Sequence, residues 1–179
     1  MTPPRDLQTI RWRDATYSRD QKHFQKFHCT DAVDVLIPNA PEPLVARQRP
    51  WETHLQDCIR THRIGKKRYR ERIGFHGSEL VGIAILETWD VGYHLACIAL
   101  ERTWRGSGAA DGMVKDALDL VRDDGAGPEG VGVYALIHRE NTRCKDLLKG
   151  HDFNLIGIDT DDPMFEKWEA RLGASTKTL

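Results

Sequence analysis

The chain has 179 residues, with 26 Lys and Arg against 27 Asp and Glu, a formal net charge of -1, and 40% hydrophobic and 30% charged residues. That length suits one domain with a sizeable core, expected over 1–179, and the balance excludes a disordered chain, a collagen-like chain and a globally basic nucleic-acid binder. No apolar run approaches the roughly 18–20 residues of a membrane span, and the N-terminus lacks the apolar stretch of a signal peptide, so no membrane partner and a cytoplasmic location are expected. The first third carries Pro3, Pro4, Pro38, Pro41, Pro43 and Pro50. Proline this dense interrupts helices and central strands, so loops and short helices are expected there. From Trp51, the residues Trp51, Leu55, Cys58 and Ile59 recur at i, i+4, i+7 and i+8, the stripe of an amphipathic helix ending near His62. Strands are then expected over 69–75 and 80–86, joined as a hairpin by His76-Gly77-Ser78-Glu79, with a third over 93–100.

After a turn at Arg105-Gly106-Ser107-Gly108, the positions Ala110, Met113, Val114, Ala117, Leu118 and Val121 form a second helical stripe, stopping at Gly125. The stretch Gly125-Ala126-Gly127-Pro128 reads as a loop, 131–137 as a strand, and Asn141 as the cap of a short helix holding Cys144, Leu147 and Leu148. A strand over 153–158 follows. Alternation of Met164, Glu166 and Trp168 suggests a last strand, with a terminal helix as the alternative. The outline is a mixed sheet with a few helices, α+β or α/β. Cys29, Cys58, Cys97 and Cys144 lie far apart without a CxxC pair, which reads as reduced thiols, neither a zinc ribbon nor a disulfide framework. His23, His28 and Cys29 match no standard metal spacing, so no metal is expected.

Strand, glycine turn and helix together make an anion site: glycines aim backbone N–H groups inward, and the helix start adds unpaired donors and a positive dipole end. The turn lacks the Gly-Lys-Ser/Thr ending of a P-loop, and Gly106 and Gly108 followed by Asp111 do not give GxGxxG. Arg105-Gly106-Ser107-Gly108-Ala109-Ala110 instead resembles the R/Q-x-x-G-x-G/A signature of the GNAT superfamily of acyl-CoA-dependent N-acyltransferases. A second signature of that family, N-x-x-A-x-x-L-Y-x-x-x-G-F, is similar to the thirteen residues from Asn141 to Phe153. The two occur in the family's order, and the resemblance spans roughly 69–168.

The resemblance implies a GNAT-like, mostly antiparallel twisted sheet flanked by helices, with an acceptor-shaping segment over 1–68 and a cofactor-binding core over 69–170. It implies acetyl-CoA as cosubstrate. Backbone N–H groups of Gly106, Ser107, Gly108, Ala109 and Ala110, with Arg105 opening the motif, would cradle the pyrophosphate; main-chain groups of Ile98 and Leu100 would pair with the pantetheine arm. Asn141 would lie beside the acyl thioester, next to Cys144, which stands where the family has Ala. The implied reaction is transfer of acetyl to a primary amine of a peptide, protein or small molecule by direct attack in a ternary complex.

Two family groups are missing. The usual general acid, a Tyr, is Leu148 here, and the glutamate of the third strand falls at Gly92. His94 is the first candidate base, on the same side as Gly92 by strand alternation, with Asp90 and Glu87 beside it. Tyr93 and Tyr134 could also donate a proton, although by pattern each reads first as core. Residues Arg60, Arg63, Lys66, Lys67, Arg68, Arg70 and Arg72 form a basic run with one acid, Glu71, either a solvated face or a surface for an RNA backbone. Toxin-like acetylation of aminoacyl-tRNA is therefore one alternative, and a non-catalytic acyl-CoA-binding module is another. Acids at Asp123, Asp124, Asp159, Asp161 and Asp162 would instead attract a cationic amine. The acceptor stays open among peptide, protein, tRNA and small amine, and so does a homodimer.

Overall fold

The computed structural model describes residues 7–29, 50–124 and 130–173. The prolines at 3, 4, 38, 41 and 43 and the loop at 125–128 lie outside the described residues. Its elements in order are β1 (Arg11–Asp14), α1 (Tyr17–Gln25), α2 (Pro50–Thr61), β2 (Tyr69–His76), β3 (Glu79–Trp89), β4 (Gly92–Leu100), α3 (Ala109–Asp123), β5 (Val131–His138), α4 (Thr142–Lys149), β6 (Asn154–Ile158) and β7 (Phe165–Leu172). Seven strands form one sheet in the order β1-β2-β3-β4-β5-β7-β6. Every neighbouring pair is antiparallel except β4 with β5. That parallel pair needs a crossover, and α3 supplies it. The mixed, mostly antiparallel sheet with flanking helices is as expected. The 164–169 alternation resolves as a strand, β7, inserted between β5 and β6.

The apolar run Val81-Gly82-Ile83-Ala84-Ile85-Leu86 of β3 is buried throughout because both faces of the sheet are covered. Ile83 and Ile85 join Phe24 of α1 and Ile59 of α2 on one face. Ala84 and Leu86 join Met113, Val114 and Leu118 of α3 on the other. Successive strand side chains point oppositely, so one run serves two cores.

In the first third α1 is a short helix of the kind expected there, whereas the strand β1 departs from that expectation. α1 buries only Asp20 and Phe24, too few for an apolar stripe. Its anchor is polar: Arg13 on β1 donates two hydrogen bonds to Asp20, at 2.7 and 2.8 Å, and the Thr16 N–H donates a third at 2.8 Å. Burial would push this carboxyl up. The bonds from Arg13 and Thr16 and the charges of Arg13 and Arg19 outweigh it and hold Asp20 well below the usual carboxylate range. Asp20→Ala is expected to lower the unfolding free energy by about 3–5 kcal/mol, read by urea denaturation, because it strands a partly buried guanidinium. The wild-type contribution is complete above the unfolded-chain value of about 3.9 and is lost as pH falls from there toward the depressed native value.

Candidate active site

β4 and β5 pair only at Gly92↔Gly132, Tyr93↔Val133 and His94↔Tyr134, although β4 runs on to Leu100 and β5 to His138. Against β3, Leu95 pairs with Leu86 and Cys97 with Ile85, which leaves Ala96 as the extra residue of a β-bulge. A bulge bends its strand and increases local twist, and here it falls where β4 parts from β5. The resulting wedge holds a cavity of about 360 Å³ lined by residues 94–98 of β4, 135–138 of β5, and Trp51 and Leu55 of α2. A second cavity of about 240 Å³ shares Ile98, Asn141 and Cys144 with it and reaches Leu100, Ala110 and Met113. Together they make a groove along an edge of β4 that has no ladder partner among the described residues.

The groove leads to the glycine turn. Gly106 and Gly108 have φ of +73° and +89°, a region that L side chains rarely adopt, and Gly108 caps α3 in the left-handed conformation. Within the turn the Ser107 N–H donates to the Trp104 carbonyl at 3.3 Å, and the Ser107 hydroxyl accepts from the Ala109 N–H at 3.2 Å. Those two amides, expected to face a pyrophosphate, are engaged locally. The N–H groups of Gly106, Gly108 and Ala110 have no partner among the described residues. An open strand edge for an extended arm and three unpaired amides at a helix start are what an acyl-CoA requires, so the residues present fit it. The Arg105 guanidinium lies 3.4 Å from Glu52 of α2, while Arg143, which lines the second cavity, has no ion-pair partner among the described residues.

No family model matches the chain, and no curated protein matches it. Solved structures do. The ribosomal-protein-S18-alanine N-acetyltransferase from Escherichia coli is similar with a TM-score of 0.61 at 12% identity, over 95% of this chain and 98% of that one. The PaiA N-acetyltransferase from Thermoplasma acidophilum, in complex with coenzyme A, gives 0.61 at 13%, over 90% and 98%. A Bacillus subtilis acetyltransferase in complex with CoA gives 0.61 at 14%, over 91% and 99%. The chain has the GNAT fold.

In this GNAT fold His94, Ile98, Asn141 and Cys144 of the expected site residues line the larger cavity, Leu100 and Ala110 join the second, and Glu87 lines neither. His94 lines the larger cavity, with Nδ1 3.7 Å from Glu87 on the facing strand, short of a hydrogen bond, and its ring stacks on Trp89 at 4.7 Å. Burial lowers the His94 pKa from the ordinary histidine value, against the opposing pull of Glu87. Glu87 also meets Arg68 at 3.1 Å. Asp90 is exposed in the tight turn between β3 and β4 and does not line the cavity. Asn141 lines both cavities, and its Oδ1 accepts from the Cys144 N–H at 3.2 Å, so its amide NH2 is left to donate. The Cys144 and Cys97 thiols are pushed up by burial, to about 11 and about 12. Tyr93 donates to Asp124 at 3.2 Å and Tyr134 stacks toward Trp89, and neither lines the cavity.

The glycine where the family carries glutamate has a steric reason here. A Cβ on Gly92 would lie 2.2 Å from the Gly132 carbonyl oxygen, at φ +144°, in the last stretch where β4 and β5 still pair. Gly92→Glu is therefore expected to lower stability by about 1–3 kcal/mol, seen as a fall in Tm, and not to supply a base.

The basic run is largely engaged within the fold. Arg60 donates to the Phe27 carbonyl at 2.8 Å, Arg63 lies over Tyr17, Arg70 meets Asp124 at 2.7 Å, and Arg72 meets Asp116 at 2.6 Å and Asp14 at 2.8 Å. With Arg68 on Glu87, only Lys66 and Lys67 lack a partner among the described residues. Three cavity residues were not anticipated: Trp51, His138 and Phe165. Trp51 stacks on His138 at 4.4 Å, and Phe165 meets the same ring edge-on at 5.5 Å. The available signal was a histidine closing an apolar strand just before Asn141, since polar residues at strand ends border binding loops.

Proposed function

We propose that the chain is an N-acetyltransferase that uses acetyl-CoA and acetylates a primary amine by direct attack within a ternary complex. The observation that carries this is the pair of adjoining cavities, sharing Ile98, Asn141 and Cys144, that runs from the unpaired edge of β4 to Ala110 at the head of α3, beside the open amides of the glycine turn. Bound acetyl-CoA supplies an activated acetyl thioester. Gly106, Gly108 and Ala110 hold the diphosphate through their N–H groups, with Arg143 adding positive charge along the groove, and main-chain groups of Ile98 and Leu100 pair with the extended arm. Asn141 donates its amide NH2 near the thioester end.

His94 takes the proton that the amine must lose before it can attack. Its lowered pKa keeps it neutral near pH 7 and ready to accept. High thiol pKa values at Cys97 and Cys144 keep both sulfurs protonated, which supports direct transfer over an acyl-cysteine. The only formally charged side chains lining the larger cavity among the described residues are Asp159, which is ion-paired with Lys167 at 3.0 Å, and Asp162, whose charge favours an acceptor that arrives as a cation. Four free cysteines, with Cys29, Cys58 and Cys97 packed in one core cluster and not bridged, fit work in the reducing cytoplasm.

The test is release of free CoA thiol from acetyl-CoA across peptides with free N-termini, polyamines, aminoglycosides and aminoacyl-tRNA, beside calorimetric acetyl-CoA binding. Turnover is expected on one amine class. Binding with no thiol release on any acceptor would replace this reading with a non-catalytic acyl-CoA-binding module, and absence of binding would overturn both.

A further inference from the structure

We propose that His138 is the hydrogen-bond donor for the negative charge that develops on the thioester during transfer, the role that Leu148 cannot fill. The inference rests on the acyl-transfer reading. His138 closes β5 on the wall of the cavity opposite His94, only 9% exposed, and shares that cavity with Leu148 and Asn141. Its Nδ1 accepts a hydrogen bond from the Glu140 N–H at 3.3 Å. A nitrogen that accepts from an N–H carries no proton of its own, so the neutral ring holds its proton on Nε2. No partner takes that Nε2–H among the described residues.

Trp51 stacked on one face and Phe165 set edge-on fix the ring before any ligand arrives. A donor already aimed, in a cavity that is largely apolar, needs no reorganisation when charge develops. Of the other cavity groups, Leu148 is apolar, His54 Nε2 faces the Cys58 sulfur at 3.4 Å and the Cys97 and Cys144 thiols are weak donors, which leaves the Asn141 amide as a further strong donor, placed beside His138 in the same cavity. His94 and His138 thus have opposite polarity. As the C–N bond forms and the C–S bond breaks, His94 takes the amine proton, the sulfur leaves as thiolate, and His138 donates its hydrogen bond while keeping its own proton.

The experiment pairs nitrogen-15 NMR of the histidine rings in ligand-free protein with kinetics of His138→Phe and His138→Gln. The phenylalanine ring keeps the packing against Trp51 and Phe165, and the glutamine amide restores a donor near the Nε2 position. We expect the proton on Nε2, a fall in kcat of about 10²- to 10³-fold for the Phe variant, recovery to within about tenfold of wild type for Gln, and acetyl-CoA affinity by calorimetry unchanged within about threefold. A proton on Nδ1, or a Phe variant whose kcat stays within twofold of wild type, overturns the assignment. If the wild type acetylates no amine, the acyl-transfer reading falls separately, and the His138 Nε2–H resonance decides the donor role: a shift on adding acetyl-CoA supports it, and no shift overturns it.

Discussion

Gly108→Trp is expected to reduce acetyl-CoA affinity at least about 100-fold by calorimetry, against a loss in folding stability of only about 1–2 kcal/mol. Gly108 sits at φ +89°, where a side chain is strained, and a Cβ there would already lie 3.3 Å from Leu7 Cδ1. An indole has room only by displacing Leu7 or covering the turn, and either movement disturbs the N–H groups of Gly106, Gly108 and Ala110 together. A hydrogen bond to a charged group contributes about 1.5–3 kcal/mol, so losing two of them suffices for that drop. Gly106→Ala is the control: a Cβ there meets nothing within 4 Å, so only the backbone strain of φ +73° remains and the affinity loss should be smaller. Equal affinity in wild type and Gly108→Trp would place the anion elsewhere.

His94→Ala is expected to lower kcat by about 10²- to 10⁴-fold while leaving acetyl-CoA binding intact. The pH dependence carries a sign. His94 acts as a base only when neutral, and burial lowers its pKa, so at saturating amine the acid limb of kcat should lie below the ordinary histidine value of about 6.5. The nearby Glu87 carboxylate opposes that shift by favouring the protonated ring. Glu87→Gln should therefore move the limb to still lower pH. A limb that stays in place in both variants would assign the base to another group.

Much of this architecture is written locally. The stripe from Ala110 to Val121 allows one helix with one buried face, and Met113, Val114, Ala117, Leu118 and Val121 are that face. The hairpin at His76-Gly77-Ser78-Glu79, the cap at Asn141 and the turn at 105–110 depend on residues within a few positions of each other, and all three appear where expected. The strand β1 and the position of α1 among the expected short helices are not written that way, because Arg13 and Asp20 stabilise them by an ion pair across seven residues that leaves no apolar period to read.

The cofactor groove belongs half to each category. By itself the sequence determined the glycine turn, the helix behind it and the strand before it, since left-handed backbone and helix periodicity are properties of short segments. Only the tertiary structure decided that β4 and β5 part after His94, that Trp51 from a distant helix clamps His138, and that most of the basic run is bound to acids and carbonyls elsewhere in the chain. Each of those depends on which residues meet across dozens of intervening positions, and neither periodicity nor residue type encodes that distance.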